Sequence, residues 1–264
     1  MPRPFISGKI AIDSMRDNGF LSAAHALAEL IDNSIQAKAD RVELITFEHR
    51  STGARAVKRI KKIGILDNGS GMDADTLHLA LEFGASVNRQ KTKGIGKFGM
   101  GLPNSSISQC KRVDVWSWTV ANQYLHTYLD IDEIKKGNLD MIPVPKEEDL
   151  PADIKGALGE TMTPSGTLVV WSKIDRCQWK TGRSIYRHTQ DIVGRMYRNF
   201  LKEGAVSIRF KSAEMTDSLY IVDEEIPFSA NDPMYLMKKT SLPPLPDSFK
   251  GESMFEYVLS LIHI

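Results

Sequence analysis

The chain has 264 residues, of which 42% are hydrophobic and 25% are charged, and its formal net charge is +1. This composition is ordinary for a globular protein and argues against wholesale disorder. The near-neutral net charge favours no class of partner. It does not exclude nucleic acid, because a local basic face can lie within a neutral total. Two cysteines cannot build a disulfide framework. The sequence contains neither a run of about eighteen apolar residues nor the apolar core of a signal peptide. We therefore expect a soluble intracellular protein, cytoplasmic or, in a eukaryote, nuclear.

The N-terminal part of the chain predicts helices, strands and a polar loop. Apolar residues at helical spacing predict a helix from about Ala23 to Lys38, with Ser22 as its N-cap. Strands are expected at 41–47 and in KKIGILDNG, and a helix capped by Asp73 is expected over 73–83. Residues 84–97 are polar, basic and glycine-rich, which predicts a loop, and a helix should follow at about 100–109.

The rest of the chain predicts mainly strands. They are expected at 113–121, 123–131, 166–174 and 205–211, with a polar excursion at 132–165 and a helix over 183–201. This order fits an α+β sandwich with helices on one face of a mixed sheet, rather than a doubly wound fold. We assign residues 1–210 to one domain. We expect residues 211–264 to form a linker and the incomplete start of a second domain, ending in FEYVLSLIHI as a strand without a partner.

Several polar residues lie in the middle of the first predicted helix, in the segment HALAELIDNSIQA at 25–37. Glu29 and Asn33 are four residues apart and therefore lie on the same helix face. A carboxylate there can act as a general base on water, and an asparagine oxygen one turn on can hold Mg²⁺. A solvated helix face would explain the same residues equally well, so this segment alone decides nothing.

A second segment, ILDNGSGM at 65–72, carries Asp67 from a buried strand directly into Gly69 and Gly71. Glycine permits tight turns and close approach of a ligand to the backbone. An acceptor-only carboxylate at a strand end could bind the amino group of an adenine. Asp-Asn-Gly is also an ordinary turn sequence, so a simple turn and a ligand site both remain open here.

A third segment, GIGKFGMGLPNSS at 94–106, places four glycines before a predicted helix. Successive backbone N–H groups and a helix N-terminus make an anion site that suits a triphosphate. A flexible basic loop is the alternative. The segment is neither a Walker loop nor the Rossmann fingerprint. Further on, Thr167 in SGTLVVW opens a strand, and its hydroxyl could bind a base or a bridging water, although a β-branched residue is common at such a position.

Taken together, the four segments resemble the GHKL ATPase superfamily, which contains gyrase-type topoisomerases, ninety-kilodalton heat-shock chaperones, histidine kinases and MutL mismatch-repair proteins. The resemblance covers about residues 15–210. Within the superfamily, ELIDNSIQA, DNGSGM and GKFGMGL are most similar to microrchidia ATPases and their bacterial relatives. The resemblance implies the Bergerat ATP-binding α/β sandwich, which agrees with the element order, followed by the start of a transducer-like domain.

The resemblance also implies a role for each residue. Glu29 would be the catalytic base and Asn33 the ligand of the Mg²⁺ that bridges the phosphates of ATP. Asp67 would bind the adenine amino group, and residues 85–101 would form a lid over the nucleotide. The full set of implied nucleotide contacts is Asn33, Ala37, Asp67, Gly69, Gly71, Met72, Gly94, Gly96, Lys97, Phe98, Gly99, Met100, Gly101, Leu102 and Thr167.

Two features depart from the pattern of the superfamily. Many relatives have an aspartate three residues after the asparagine, where this chain has Gln36. Dimeric relatives supply a lysine to the terminal phosphate from the transducer domain, and here Lys238 and Lys239 are only weak candidates for that role.

Three functions follow from these observations. The first is a Mg²⁺-dependent ATPase whose nucleotide state drives lid closure and dimerisation of a DNA-associated or chaperone-like machine. RAVKRIKK at 55–62 could contact DNA, although a basic strand edge explains it more simply. The second is a histidine kinase domain, for which about twenty residues before the Glu29 helix leave no room for a phosphoacceptor hairpin. The third is a nucleotide-binding scaffold that does not hydrolyse ATP.

Overall fold

The computed structural model describes residues 8–20, 22–52, 56–83, 101–159, 163–233 and 240–243. The helices are α1 Gly8–Asp17, α2 Ala23–Gln36, α3 Ala74–Ala80, α4 Gly101–Gln109, α5 Ile131–Lys136, α6 Ala152–Leu158, α7 Gly182–Met196 and α8 Arg198–Glu203. The strands are β1 Arg41–Arg50, β2 Lys58–Asp67, β3 Cys110–Trp118, β4 Leu125–Asp130, β5 Lys146–Glu147, β6 Gly166–Ile174, β7 Ser207–Thr216 and β8 Leu219–Pro227.

The described strands form one mixed sheet in the order β5-β4-β3-β6-β2-β1-β7-β8. β1 and β7 are parallel, and the other neighbouring pairs are antiparallel. Two parallel strands must be joined by a crossover connection. Here the chain forms β2 to β6 after β1, and α7 and α8 then lead into β7 beside β1. This arrangement places β2, β6 and β3 side by side in the middle of the sheet, where the polar strand ends predicted from the sequence meet.

The two faces of the sheet carry separate hydrophobic clusters, because side chains alternate along each strand. Leu44 and Val169 face the first cluster, which α2, α4 and α7 cover with residues such as Leu27, Ile107 and Val193. Ile45, on the other face, belongs to the second cluster, which α6 covers. The fold is therefore the expected α/β sandwich with its principal helices on one face, and α6 is an addition on the opposite face.

Several elements differ from the sequence-based expectations, and α1 is a helix that was not expected at all. The helix expected over 183–201 is divided at Tyr197, whose backbone leaves helical geometry at φ −102° and ψ 19°. The polar excursion at 132–165 contains two short helices, α5 and α6. The chain also continues beyond β7 into β8 through a tight turn at Asp217 and Ser218, which both have positive φ.

The sheet extends past residue 210, a position that falls inside β7, and continues to Pro227. The division into two domains stays a prediction, since FEYVLSLIHI and most of the preceding segment lie outside the described residues. Among the helices that are described, none combines the length and the apolar character needed to cross a membrane.

Candidate nucleotide-binding site

A cavity of about 410 Å³ opens between α2, α3, the start of α4 and the ends of β2 and β6. Most of the residues singled out in the sequence line it. They are Glu29, Asn33, Gln36, Ala37, Asp67, Gly71, Met72, Gly101, Leu102 and Thr167. Leu30, Ile65, Leu79 and Val169 add an apolar wall. A cavity of this size, with an apolar wall and a few convergent polar groups, suits a small ligand such as a nucleotide.

The base of the cavity is a row of polar residues that crosses three strands. Asp67 on β2 lies directly opposite Thr167 on β6, and Thr167 lies opposite Ser117 on β3. The hydroxyls of Ser117 and Thr167 are 3.0 Å apart. Because paired residues in neighbouring strands share a face of the sheet, residues that are far apart in sequence become neighbours on one polar surface, of which Asp67 and Thr167 line the cavity and Ser117 is fully buried.

Asp67 is the most buried carboxylate of this surface, with 7% of its area exposed. Burial raises its pKa, and hydrogen bonds from the Gly69 N–H and the Ser34 hydroxyl, both 2.9 Å long, partly offset that effect. Together with a hydrogen bond from the Thr167 backbone, these bonds use three of the roughly four acceptor positions of a carboxylate, so at least one remains. Asp67 is therefore held in place and can still accept a hydrogen bond from a ligand.

The turn after β2 is fixed by glycine and by two serines. Gly71 has a φ of +68°, and a Cβ there would overlap the carbonyl of Trp118, so this position requires glycine. The Ser117 hydroxyl accepts a hydrogen bond of 2.8 Å from the Met72 N–H. The Ser165 hydroxyl donates a hydrogen bond of the same length to the Gly69 carbonyl. Gly69 itself does not line the cavity but shapes the turn through these bonds.

Glu29 lies at the other end of the cavity, on α2 and beside the first residue of α4. A Cβ on Gly101 would overlap Oε1 of Glu29, so the carboxylate packs directly against the glycine backbone. Burial raises the pKa of Glu29, and the negative charge of Asp32 raises it further. A half-buried carboxylate with a raised pKa has the properties of a general base or acid.

Asn33 lies one helical turn from Glu29 and also lines the cavity. Its side chain forms no hydrogen bond with another described residue. The amide oxygen is thus available as a hard oxygen ligand of the kind Mg²⁺ prefers, and Mg²⁺ commonly uses one or two protein ligands together with phosphate oxygens and water. The residues present therefore fit a Mg²⁺–nucleotide complex.

The structure brings together both ends of the predicted site, while the roles of the individual residues stay predictions. Gly94, Gly96, Lys97, Phe98, Gly99 and Met100 lie outside the described residues, as do Lys238 and Lys239. Sequence reasoning missed Ser34, Ser117 and Ser165, which hold Asp67 and the turn after β2 by hydrogen bonds. Ser34 directly follows Asn33 in the motif, but only the strand register reveals Ser117.

Comparisons with known proteins find similarity to a solved structure and to a mouse protein. A solved structure described as the N-terminal domain of a DNA repair protein aligns with 83% of this chain and 57% of its own, at 15% identity and a TM-score of 0.48. The mouse protein ATPase MORC2B is 29% identical over 128 residues, which are 46% of this chain and 11% of the mouse protein. The chain thus spans about a tenth of that relative's length.

A family profile also matches the chain. The profile described as histidine kinase-, DNA gyrase B- and HSP90-like ATPase matches residues 21–157, slightly more than half of the 264 residues. The matched range includes α2 with Glu29 and Asn33, the Asp67 turn and the start of α4. The chain belongs to the family of histidine kinase-, DNA gyrase B- and HSP90-like ATPases, that is, to the GHKL-type ATPases.

Proposed function

We propose that this chain binds ATP with Mg²⁺, hydrolyses it, and uses the nucleotide state to drive lid closure and dimerisation. The observation that carries the proposal is the separation of two kinds of carboxylate in one cavity. Asp67 is held by hydrogen bonds at the end that suits a base. Glu29 has no hydrogen-bond partner among the described residues at the end that suits phosphates. Membership of an ATPase family supports the same assignment.

The adenine would lie against the row formed by Asp67, Thr167 and Ser117. Its exocyclic amino group would donate a hydrogen bond to Asp67, while Thr167 supports the ring edge directly or through water. The triphosphate would then extend along α2 towards Glu29. Gly101 and Leu102 at the start of α4 would approach it there, because a helix N-terminus favours anions.

Hydrolysis would require Glu29 to act on a water beside the terminal phosphate. As the water oxygen bonds to phosphorus, Glu29 takes the released proton, and the bond to the oxygen shared with ADP breaks. The products are ADP and inorganic phosphate. Asn33 would hold Mg²⁺, which supplies positive charge to the phosphates when it is bound.

Turnover by a Glu29→Gln variant tests this proposal. We expect the wild-type chain to release phosphate from ATP when Mg²⁺ is present, and Glu29→Gln to lose turnover by about 100-fold or more, since general-base catalysis contributes about that much. Glu203→Gln, an exposed change on α8, is the control and should not alter the rate. Equal turnover in the wild type and Glu29→Gln would contradict the role of Glu29.

Two other activities remain as outcomes of the same assay. Binding of ATP without any turnover in the wild type would favour the non-hydrolysing scaffold. Transfer of the terminal phosphate to a histidine, detected as acid-labile phosphoprotein, would favour the histidine kinase alternative. Neither outcome is expected, because Glu29 is present and lies in the cavity.

A DNA partner is a second proposal, favoured by the charge on α7 and α8. Exposed basic residues recur along these helices and form no ion pair with other described residues: Arg187, Arg195, Arg198 and Lys202. In the stretch at 55–62, Lys58 and Lys62 are paired with Asp223 and Asp153, and among its described residues Arg59 and Lys61 are exposed without an ion pair. Basic side chains without ion pairs suit a phosphate backbone, so α7 and α8, which carry more of them, are the better candidate surface.

Charge reversal tests the DNA proposal. We expect a fluorescent DNA duplex to bind the wild type with an affinity that falls as salt rises. Arg187→Glu combined with Arg198→Glu should weaken binding by about 10-fold or more, since each lost phosphate contact reduces affinity. Arg59→Glu, in the exposed part of β2, is the control. No binding at low salt, or an equal loss in the control, would contradict this surface.

A further inference from the structure

Two polar residues of the cavity have no role in the proposed function. Gln36 is the last residue of α2, and Ser70 lies in the turn after β2; both are exposed and both line the cavity. The Gln36 side chain forms no hydrogen bond with another described residue. The Ser70 hydroxyl donates a long hydrogen bond of 3.3 Å to the Gly71 carbonyl and can still accept one. Both side chains are thus available to a ligand.

The backbone holds these two residues close to one another. The Ser70 N–H donates a hydrogen bond of 2.9 Å to the carbonyl of Ala37, which directly follows Gln36. A Cβ on Gly69 would lie 2.8 Å from the same carbonyl oxygen, so the turn after β2 packs tightly on the end of α2. Gln36 and Ser70 therefore form one polar rim of the cavity, and backbone contacts fix its position.

Gln36 lies between the two ends of the cavity. Glu29, Asn33 and Gln36 occupy positions i, i+4 and i+7 of α2, so they follow one face of the helix. A rise of about 1.5 Å per residue puts Gln36 about 4.5 Å beyond Asn33 along the helix axis. Ala37 then adjoins the turn that follows Asp67. Because the sugar of a nucleotide joins its base to its phosphates, a base at Asp67 and phosphates at Asn33 bring the sugar to Gln36.

We propose that Gln36 and Ser70 bind the ribose hydroxyls of the nucleotide and make the site selective for ribonucleotides over nucleotides that lack these hydroxyls. The inference rests on the proposed function, which places the base and the phosphates. An amide offers both donors and an acceptor, and each ribose hydroxyl can also donate and accept. The Gln36 amide therefore pairs with the two neighbouring hydroxyls of the sugar, and the Ser70 hydroxyl accepts from the nearer one.

The α3 side of the cavity offers little to a sugar. The Thr76 hydroxyl is hydrogen-bonded to Asp73, the N-cap of the helix. The other α3 residues that line the cavity have apolar side chains: Leu79 and Ala80. Among the described residues between the two ends of the cavity, the rim therefore supplies the polar side chains that are left for the ribose.

Calorimetric titration of ATP and of dideoxy-ATP, which lacks both ribose hydroxyls, into the wild type and Gln36→Ala tests this inference. We expect the wild type to bind ATP about 10-fold more tightly than dideoxy-ATP, since the missing hydroxyls leave polar groups without partners. Gln36→Ala should reduce this preference to about twofold by weakening ATP binding alone. Alanine is a good helix former and position 36 is exposed, so the fold should persist.

Two further variants complete the comparison. Gln123→Ala is the matched control, because Gln123 is an exposed glutamine in the turn between β3 and β4 and does not line this cavity. It should keep the preference of the wild type. Ser70→Ala should reduce the preference about threefold, a smaller loss because the Ser70 hydroxyl contributes a single hydrogen bond.

The titration needs no turnover, so its outcomes separate this inference from the proposed function. Equal affinity of the wild type for ATP and dideoxy-ATP would overturn the inference and leave the proposed function standing. So would a preference that Gln36→Ala retains, or an equal loss of both affinities in that variant. If the wild type binds neither nucleotide, the proposed function fails, and the ribose contact fails with it.

Discussion

The two ends of the cavity are built differently. At the adenine end, Asp67, Thr167 and the turn after β2 are held by hydrogen bonds from Ser34, Ser117 and Gly69. At the phosphate end, the side chains of Glu29 and Asn33 form no hydrogen bond with the described residues. A buried polar group needs a partner, and the carboxylate of Asp67 has three. In the proposed function, base recognition would thus be set by the sheet before any ligand binds, whereas the side chains of Glu29 and Asn33 would stay available for water, Mg²⁺ and phosphate.

This difference implies that substitutions at the two ends of the cavity should impair different steps, either ATP binding or turnover. Changes at the phosphate end should reduce turnover and leave binding largely intact. Changes in the row formed by Asp67, Thr167 and Ser117 should reduce the affinity for ATP. Changes outside the cavity should affect stability alone.

Gly101→Ala should have the largest effect, since its Cβ would occupy the position of Oε1 of Glu29. We expect turnover to fall about 100-fold, because the carboxylate must leave its position and general-base catalysis contributes about that much. The Kd for ATP, measured by titration calorimetry, should change by less than about fivefold. Gly156→Ala in α6, on the other face of the sheet, is the control. A normal rate in Gly101→Ala would mean that the position of Glu29 is unimportant.

Ser117→Ala should weaken ATP binding by about 10-fold with a smaller effect on kcat. The change removes the hydroxyl that joins the Met72 N–H to Thr167, and leaving a buried N–H without a partner costs about 1–3 kcal/mol. Ser172→Ala, further along in β6 and less buried, provides the matched control. An unchanged affinity for ATP in Ser117→Ala would contradict the proposed difference between the two ends of the cavity.

The stability of Asp67→Asn should depend on pH in a defined direction. Burial raises the pKa of Asp67 in the folded state, so its contribution to stability is present at low pH and is lost as the pH rises through that pKa. Asparagine does not titrate. The free energy of unfolding of Asp67→Asn, relative to wild type, should therefore increase as the pH is raised from about 3 to about 7.

The pKa of Asp114 is shifted in the opposite direction from that of Asp67. Burial acts to raise its pKa, but hydrogen bonds from His126 and Arg112 outweigh it, and the pKa is lowered. Asp114→Asn should therefore become less stable relative to wild type as the pH rises over the same range. Denaturant melts at several pH values measure both variants. The same pH slope in the two variants would contradict the assignment of the Asp67 environment.

Asp73→Ala should have the smallest effect. Asp73 caps α3 by accepting a hydrogen bond of 2.8 Å from the Thr76 N–H, and loss of an N-cap typically costs about 1 kcal/mol of stability. The affinity for ATP should stay within about twofold, although α3 lines one side of the cavity. Asp75→Ala, one residue into the helix, is the control. A large loss of affinity would extend the proposed ATP-binding surface to α3.

Much of the site was predictable because its chemistry lies in short local patterns. The spacing of Glu29 and Asn33 fixes their common helix face, and the glycines after Asp67 identify a turn with a required geometry. Their resemblance to the GHKL ATPases also located both ends of the cavity before any tertiary contact was known.

The contacts that hold the site depend on register and tertiary packing, which local patterns do not encode. Ser117 meets Thr167 only because β3 and β6 pair in one register, and Tyr197 meets Asp32 only because α7 packs on α2. β8 was missed because Leu219 and Ile221 are apolar yet exposed, so the sequence does not show which side of the strand is buried, and because its turn uses Asp217 and Ser218 instead of the usual glycine.

Calorimetric titration of ATP, with Mg²⁺ present, into Asp67→Asn and Glu29→Gln tests the central claim most directly. The account predicts that Glu29→Gln binds ATP as the wild type does, and that Asp67→Asn loses about 100-fold in affinity or more, because asparagine presents a donor where the adenine amino group needs an acceptor. Asp191→Asn, exposed on α7, should bind normally. Equal affinity in the wild type and Asp67→Asn, or no binding of ATP by any of these chains, would contradict the account.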